Sequence, residues 1–596
     1  MEYICDDKYQ NIIEELDRRQ WKLLPSTDSA VPRECALMWK NLSKTKFPAV
    51  LGRYVNHIKG IHHLSNKSYL VYHLSGGSVL ARRLLPPSWS SSCHSLGDLI
   101  GLLTADQLLS VAANVLQVGG SCAPHHPPLP PPAALPSQQH QQLKECAALL
   151  QLLRIERESE SGEAWSDTVL ARACEALLQS LERMTLGSAV ASQEKSIAEC
   201  HTHLAYAQQC FTGWEGRGLG GEQLQGGGGE EGLGNERLWI VKPVALSCGE
   251  GISVQRGARA VMRAAAALGY KCVVQKYIER PLLLRCEQKF DIRQWALVTC
   301  LNPLVMFGFS ECYLRLSSQP YSTHEAGLGQ SLVHLCNQSI QGRDESQVEG
   351  RKVSVGGAEH QHECETMMTQ QEFDTFLRQI DTAQYAERHP GRFAGIVSSG
   401  RPFTFDEVIL PQIREACVEA VRAARDRLQR VGKGFEWLGF DLMVTRALEV
   451  RLIEVNVSPD VTASTSITGR LVRAATSDLF TLLLDEGAVE EQAVVSRHKS
   501  APAVHPHRLD NESNTPGPQW SLWHSGLHEA PSRTKDFAAS KLEERGVLRV
   551  GDNSAATCGL LEERVLTVLA GRESAETGGD NGNGDIGTEE DEEDEI

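Results

Sequence analysis

Nothing narrows the possible folds of this chain more than Arg451–Pro459, a strand-like run that carries two oxygen-bearing side chains. Leu452, Ile453, Val455 and Val457 supply the apolar bulk of a strand packed in a sheet. Glu454 and Asn456 stand two positions apart, and the period-2 alternation of a strand turns both to one face. A carboxylate beside a carboxamide presents the hard oxygen donors that Mg²⁺ favours. Upstream, Phe440–Val444 is a second short apolar run holding one carboxylate, Asp441. Asp441, Glu454 and Asn456 are therefore a candidate metal set. A plainer reading has equal standing at this level: Glu454 pairs with a buried arginine, and Asn456 caps the turn that follows.

The chain has 596 residues and 41% hydrophobic residues, enough for a sizeable core and more than one domain. Its net charge of −17 is concentrated at one end: residues 571–596 hold eleven acids and one arginine. The remainder is mildly acidic, so charge points neither to nucleic acid nor to a membrane surface as partner. Seventeen cysteines are scattered with no C-x-x-C pair, which signals neither a zinc site nor a disulfide framework. Residues 1–7 show no basic and apolar leader pattern, and no apolar run approaches the roughly 20 residues of a membrane span. The expectation is a soluble protein of a reducing compartment.

Residues 1–117 read as an N-terminal lobe without a strong motif. Its basic, histidine-containing stretch (Lys59, His62, His63, Lys67) suits surface or capping roles better than metal ligation. Residues 118–235 read as linkers around a helical segment. Prolines crowd 121–136, leucines recur at 3–4 spacing between Gln138 and Cys210, and Gly226–Gly229 are consecutive. Residues 236–485 read as the catalytic domain. There Leu238–Pro243 is a strand ending in Lys242, and Ser247, Gly249 and Gly251 punctuate a turn before a strand resumes at Ile252. Such a hairpin lets backbone N–H groups approach phosphate oxygens, although a bare tight turn has the same pattern. Lys289, Asp291 and Arg293 alternate on one face of a strand opposite Phe290 and Ile292, fitting either a polyanion site or an ion-pair ladder. Residues 343–368 read as an exposed insertion, and its His360, His362 and Cys364 lack a suitably spaced fourth metal ligand. A helix runs from Pro411 to about Val431 with Ile413, Cys417, Val421, Ala424 and Leu428 on one stripe. Residues 486–596 read as a mostly disordered, acidic tail with a possible short helix over 558–571.

Together, Trp239–Pro243, Ser247–Ile252, Val273–Leu283, Lys289–Trp295, Cys312–Arg315, His334–Gln341 and Gly439–Pro459 resemble the tubulin–tyrosine ligase-like family of ATP-grasp ligases. The resemblance covers roughly Trp239–Val472. Val273–Leu283, Leu314–Tyr321 and His334–Asn337 are most similar to the tubulin glycylase branch. It implies an α/β (α+β) ATP-grasp fold and an ATP- and Mg²⁺-dependent ligase joining glycine to glutamate side chains of tubulin's acidic tails. The chemistry implied is activation of a carboxylate as an acylphosphate and attack by an amine. By the same resemblance Lys242, under the Ser247–Gly251 loop, contacts phosphates, while Gln275, Lys276, Tyr277 and Ile278 frame the adenine. Lys289, Asp291 and Arg293 line the nucleotide and acceptor site; Arg315, His334 and Asn337 orient phosphate and substrate; Asp441, Glu454 and Asn456 hold Mg²⁺. The implied setting is cytoplasmic microtubules and the ciliary or flagellar axoneme, with the enzyme acting as a monomer. One departure is Cys248, where many relatives have an arginine in the phosphate loop. A glutamylase of the same family, or a microtubule-binding protein without catalysis, are the other readings.

Overall fold

The computed structural model describes residues 1–25, 34–47, 52–90, 96–119, 237–345, 366–459, 465–485 and 519–525, with a few isolated positions between. The proline and glycine stretches, most of the leucine-rich stretch, the histidines of the 343–368 insertion, the 558–571 segment and the acidic tail lie outside those residues.

The chain enters through β1 (Glu2–Cys5), β2 (Lys22–Leu23), β3 (Cys35–Trp39) and β4 (Tyr54–Val55), paired parallel in the order β4-β3-β1-β2. The helix Lys67–Ser75 follows. It starts at Asn66, whose side chain accepts hydrogen bonds from the backbone N–H groups of Ser68 and Tyr69. This cap fixes where Lys67, the first residue of the helix, points.

A second sheet is antiparallel: β5 (Ser88–Ser90), β6 (Leu238–Pro243), β7 (Ser253–Arg256) and β8 (Cys272–Lys276), in the order β5-β8-β6-β7. The expected hairpin is thus β6–β7. The helices Leu96–Gly119 and Gly257–Ala267 pack beside it, and the Trp239 indole N–H donates to Asp106 at 2.9 Å.

The larger sheet is built on β9 (Gln288–Leu301), which pairs antiparallel with β10 (Leu304–Phe309) and β11 (Tyr313–Pro320); β12 (Met367–Thr369) adds to β11. After the helix Leu410–Ala424, β13 (Lys433–Gly434) returns to pair with β4, and β14 (Glu436–Val444) joins β9 on its other flank. That helix ends earlier than expected, passing into a tighter turn at Arg425–Arg427, but Ile413, Cys417, Val421 and Ala424 are buried as its stripe required. Last comes β15 (Val450–Val457), antiparallel to β14.

The two faces of β9 explain where core stops and site begins. Phe290, Ile292, Ala296 and Val298 face one core with Leu438, Phe440, Leu442 and the helix Leu410–Ala424. On the other face Trp295 and Leu297 join Phe307, Trp437 and the N-terminal Trp39 in a second core, whereas Lys289, Asp291 and Arg293 occupy the same face nearer the strand's start. One alternating strand is therefore core at one end and charged at the other.

Two features were not expected. His57 and Glu436 are fully buried and bonded, Nδ1 to Oε1 at 3.0 Å, while the Ile58 N–H donates to Glu436 Oε2 at 2.8 Å. This pair fastens the N-terminal lobe to the first residue of β14. The second feature is β16 (Trp520–Ser525), antiparallel to β10, within the stretch read as tail. Trp520 and Trp523 are buried, and a side chain on Gly308 would overlap the Trp523 indole. A six-residue strand among polar neighbours carries too little periodicity to be read from sequence. Among the described residues no helix is long and apolar enough to cross a membrane.

Candidate active site

Between the second sheet and the larger sheet lies a cavity of about 800 Å³, counted out to its open mouth. One wall is β6 and β8 with Lys242, Gln275 and Lys276; the other is β9, β11, β14 and β15 with Lys289, Asp291, Arg315, Asp441 and Glu454. Tyr277 and Ile278 form the bridge between sheets, and His334 and Asn337 close one end.

On the larger sheet, register does the assembling. Asp441 stands opposite Arg293 of β9 and Glu454 of β15, and Asn456 stands opposite Gly439. Arg293 bonds Asp441, whose other oxygen takes Arg315 at 2.8 Å; Arg315 also makes a fork to Asp291 at 2.6 and 2.9 Å. Burial alone would raise the Asp441 carboxyl, but Arg293 and Arg315 overcome it and hold it down at about 2. The ion-pair ladder therefore exists, yet it runs between strands rather than along β9, and Lys289 is not in it. Arg293 sits behind Asp441 and does not line the cavity, unlike its expected place at the nucleotide.

Glu454 is different. The arginines go to Asp441, so the pairing of Glu454 with a buried arginine is not what the chain forms. Burial, and then the Asp441 charge, push its carboxyl up. Asn456 does not cap a turn: its amide nitrogen lies 3.1 Å from Asp441 Oδ2 and 3.4 Å from Glu454 Oε1. Two carboxylates converge here on one amide, which turned about its last bond presents oxygen instead of nitrogen. That donor set fits Mg²⁺. Among the described residues no cluster of three His, Cys, Asp or Glu side chains offers a metal site, and this set would need the Asn456 amide as its third donor.

The other lysines have neutral partners. Lys242, 7% exposed, donates to Gln275 Oε1 at 2.8 Å, and Gln275 donates in turn to Ser88. Lys289, 2% exposed, donates to the Tyr277 hydroxyl at 2.9 Å and the His334 carbonyl at 2.6 Å. Burial pulls both ammonium groups down to about 8. Burial and then Lys289 lower His334 to about 4; the neutral ring donates from Nε2 to the Gly327 carbonyl, leaving Nδ1 to accept from the Tyr277 hydroxyl at 2.8 Å. Lys276, by contrast, is paired with Glu279 at 2.7 Å and Asp106 at 3.1 Å.

In the β6–β7 loop, Cys248 and Gly249 line the cavity, whereas Ser247 and Gly251 belong to the turn behind them. Gly249 has φ +77°, and a side chain there would collide with Ile340, so the close approach requires glycine. Sequence reasoning missed Lys67, which lines the cavity from the N-terminal lobe and donates to the Leu246 carbonyl of this loop at 2.8 Å. Its only sequence signal was a basic stretch. Also missed was the apolar slot of Met443 and Ile453 packed with Ile278, because strand apolarity alone reads as core.

Two antiparallel sheets gripping a cavity give the α/β fold of an ATP-grasp ligase. Residues 225–390 and 399–492 match the Tubulin-tyrosine ligase family. Over 258 residues it is 35% identical to the Tubulin monoglycylase TTLL3 of Danio rerio, covering 42% of this chain and 29% of the relative. It is 31% identical over 267 residues to the Tubulin glycylase 3D of Tetrahymena thermophila, covering 44% of this chain and 22% of the relative. It is 32% identical over 257 residues to the Protein monoglycylase TTLL8 of Mus musculus, covering 42% of this chain and 27% of the relative. The chain thus spans less than a third of the length of these relatives.

Proposed function

We propose that this chain is an ATP-dependent carboxylate–amine ligase that joins glycine to glutamate side chains of tubulin tails on microtubules, including those of cilia. One observation carries the ligase part: Lys67, Lys242 and Lys289, bonded only to neutral acceptors, share one cavity with Asp441 and Glu454, the two carboxylates that Asn456 bonds. Cations bonded to neutral groups favour a polyanion, and an oxygen donor set beside them favours the divalent cation that accompanies it. In this reading Lys242, Lys289, Lys67 and the Cys248–Gly249 backbone hold the ATP phosphates. Ile278, Met443 and Ile453 flank the base, and Asp441, Glu454 and Asn456 hold Mg²⁺. ATP supplies the phosphoryl group that turns a carboxylate into an electrophile, and Mg²⁺ neutralises charge on it. Arg315, fixed by Asp291 and Asp441, is aimed where negative charge develops and needs no reorganisation.

The choice of glycine rests on the printed names of the relatives and the glycylase-like motifs, not on a pocket contact. The test is incubation of the purified chain with tubulin, ATP, Mg²⁺ and either labelled glycine or labelled glutamate. Glycine is expected to enter tubulin in an ATP-dependent way. Glutamate in its place overturns the amino-acid assignment, and ATP turnover without any label transfer overturns the ligase.

A further inference from the structure

We propose that the acidic run Glu589–Glu595 of this same chain docks on a cationic strip at the mouth of the cavity and is itself an acceptor of the amino acid. This rests on the ligase reading above.

The strip runs along the outside of the N-terminal lobe. Lys67 enters the cavity beside Glu454 and Lys242. Two residues on, exposed Tyr69 packs against His62 and His63, with ring centroids 5.9 and 4.8 Å away. Arg427, exposed, has its backbone against Gly60, and exposed Lys59 pairs backbone to Gln429 beside it. Asp426 is the one carboxylate exposed on this segment. The turn His62–Ser65 packs on β15, the strand of Glu454. The strip therefore ends at the point where an acceptor carboxylate has to arrive. Nucleotide phosphates use the buried lysines and leave Lys59, Tyr69, His62 and Arg427 outside, free for a second polyanion.

The chain contains such a polyanion. Glu589–Glu595 is seven consecutive acids, and five of them are glutamates. Ser525, the last described residue, precedes Glu589 by 64 positions. At roughly 3.4 Å per residue the span between them extends to about 200 Å at most, far more than the width of a domain this size. A tethered acceptor meets the site at a high effective concentration without any added affinity.

The reaction balances as the ligase does on any carboxylate. A glutamate oxygen takes the terminal phosphoryl group of ATP, releasing ADP. The amine nitrogen forms the new C–N bond as the C–O bond to phosphate breaks, and the amine proton leaves to solvent. Each added residue replaces one side-chain carboxylate by an amide.

The test incubates the full chain with ATP, Mg²⁺ and labelled glycine, with and without tubulin, and maps label by mass spectrometry. Label is expected on tail glutamates without tubulin, with a rate per molecule independent of enzyme concentration. It is expected to fall several-fold between low salt and about 0.3 M salt, where surface attraction is screened. The paired substitution Lys59→Ala with Arg427→Ala, both outside the catalytic set, is expected to slow tail labelling at least threefold. Replacing the five glutamates by glutamine in the full chain removes the label and leaves tubulin labelling intact or faster. Label on tubulin with none on the tail overturns this proposal and leaves the ligase standing. A rate that rises with enzyme concentration assigns the tail to a second copy's site and overturns docking within one chain. No label on either acceptor removes the ligase reading, and this proposal with it.

Discussion

The cavity holds two groups of charged side chains and treats them oppositely. On the larger sheet, Arg293, Arg315, Asp291 and Asp441 satisfy one another through buried charge-assisted bonds before anything binds. Lys242 on β6 and Lys289 at the start of β9 are instead buried with only an amide, a hydroxyl and a carbonyl for partners. The first group is a finished structure; the second holds unmet charge. Removing one partner of a closed network strands the others, whereas removing an unpaired buried cation relieves desolvation and harms only what that cation would bind. The contrast teaches which side chains shape the site and which wait for a ligand.

Breaking the closed network has the largest expected effect. Arg315→Met leaves Asp291 without its fork partner and Asp441 with one arginine, at an expected loss of about 3–5 kcal/mol, read by urea unfolding. A loss below about 1 kcal/mol equates these bonds with exposed ones and removes the contrast. Next is Glu454→Gln, which keeps shape and hydrogen bonding but discards the carboxylate on which Asn456 converges. Turnover is expected to fall about 10²–10³-fold while the unfolding midpoint stays near that of the wild type, because Glu454 is in no ion pair with a described residue. Activity retained with stability lost would make Glu454 structural.

The smallest stability effect has the opposite sign. Lys242→Met is expected to stabilise the unliganded protein by about 1 kcal/mol. The pH dependence follows from the lysine itself. Folding lowers its ammonium to about 8 from the usual 10.5, so between those values the unfolded chain binds a proton that the folded chain has lost. Wild-type stability therefore gains a contribution as pH rises from about 8 toward 10.5, and this contribution is absent from the variant. Equal slopes for the two proteins across that window would show that Lys242 is not a buried, unpaired cation.

The charges of the larger sheet were also the more legible ones. Period-2 spacing put Lys289, Asp291 and Arg293 on one face, and Glu454 with Asn456 on another, because a strand's alternation is local. What spacing could not supply was register across strands. It is register that gives both arginines to Asp441 and none to Glu454, and that hides Arg293 behind Asp441. Lys67, His57 and β16 escaped for a related reason. Each acts by reaching an element some 180 to 380 or more residues away or, for β16, more than 200 back along the chain, and such pairings leave no local pattern. The Met443 and Ile453 slot escaped because an apolar residue looks the same in a core and in a base-binding cleft.

The central claim is that the unmet charge of Lys242 and Lys289 is the phosphate site. The most direct test is calorimetric titration of wild type and Lys242→Met with ATP and Mg²⁺ at pH 7 and pH 9, either side of the value of about 8 that burial imposes on both lysines. The wild type is expected to bind about tenfold or more tightly at pH 7 than at pH 9, since a deprotonated lysine gives up its charge. The variant is expected to bind weakly at both, with a shallower dependence. A wild type whose affinity is the same at both pH values, and is matched by Lys242→Met, would contradict the assignment.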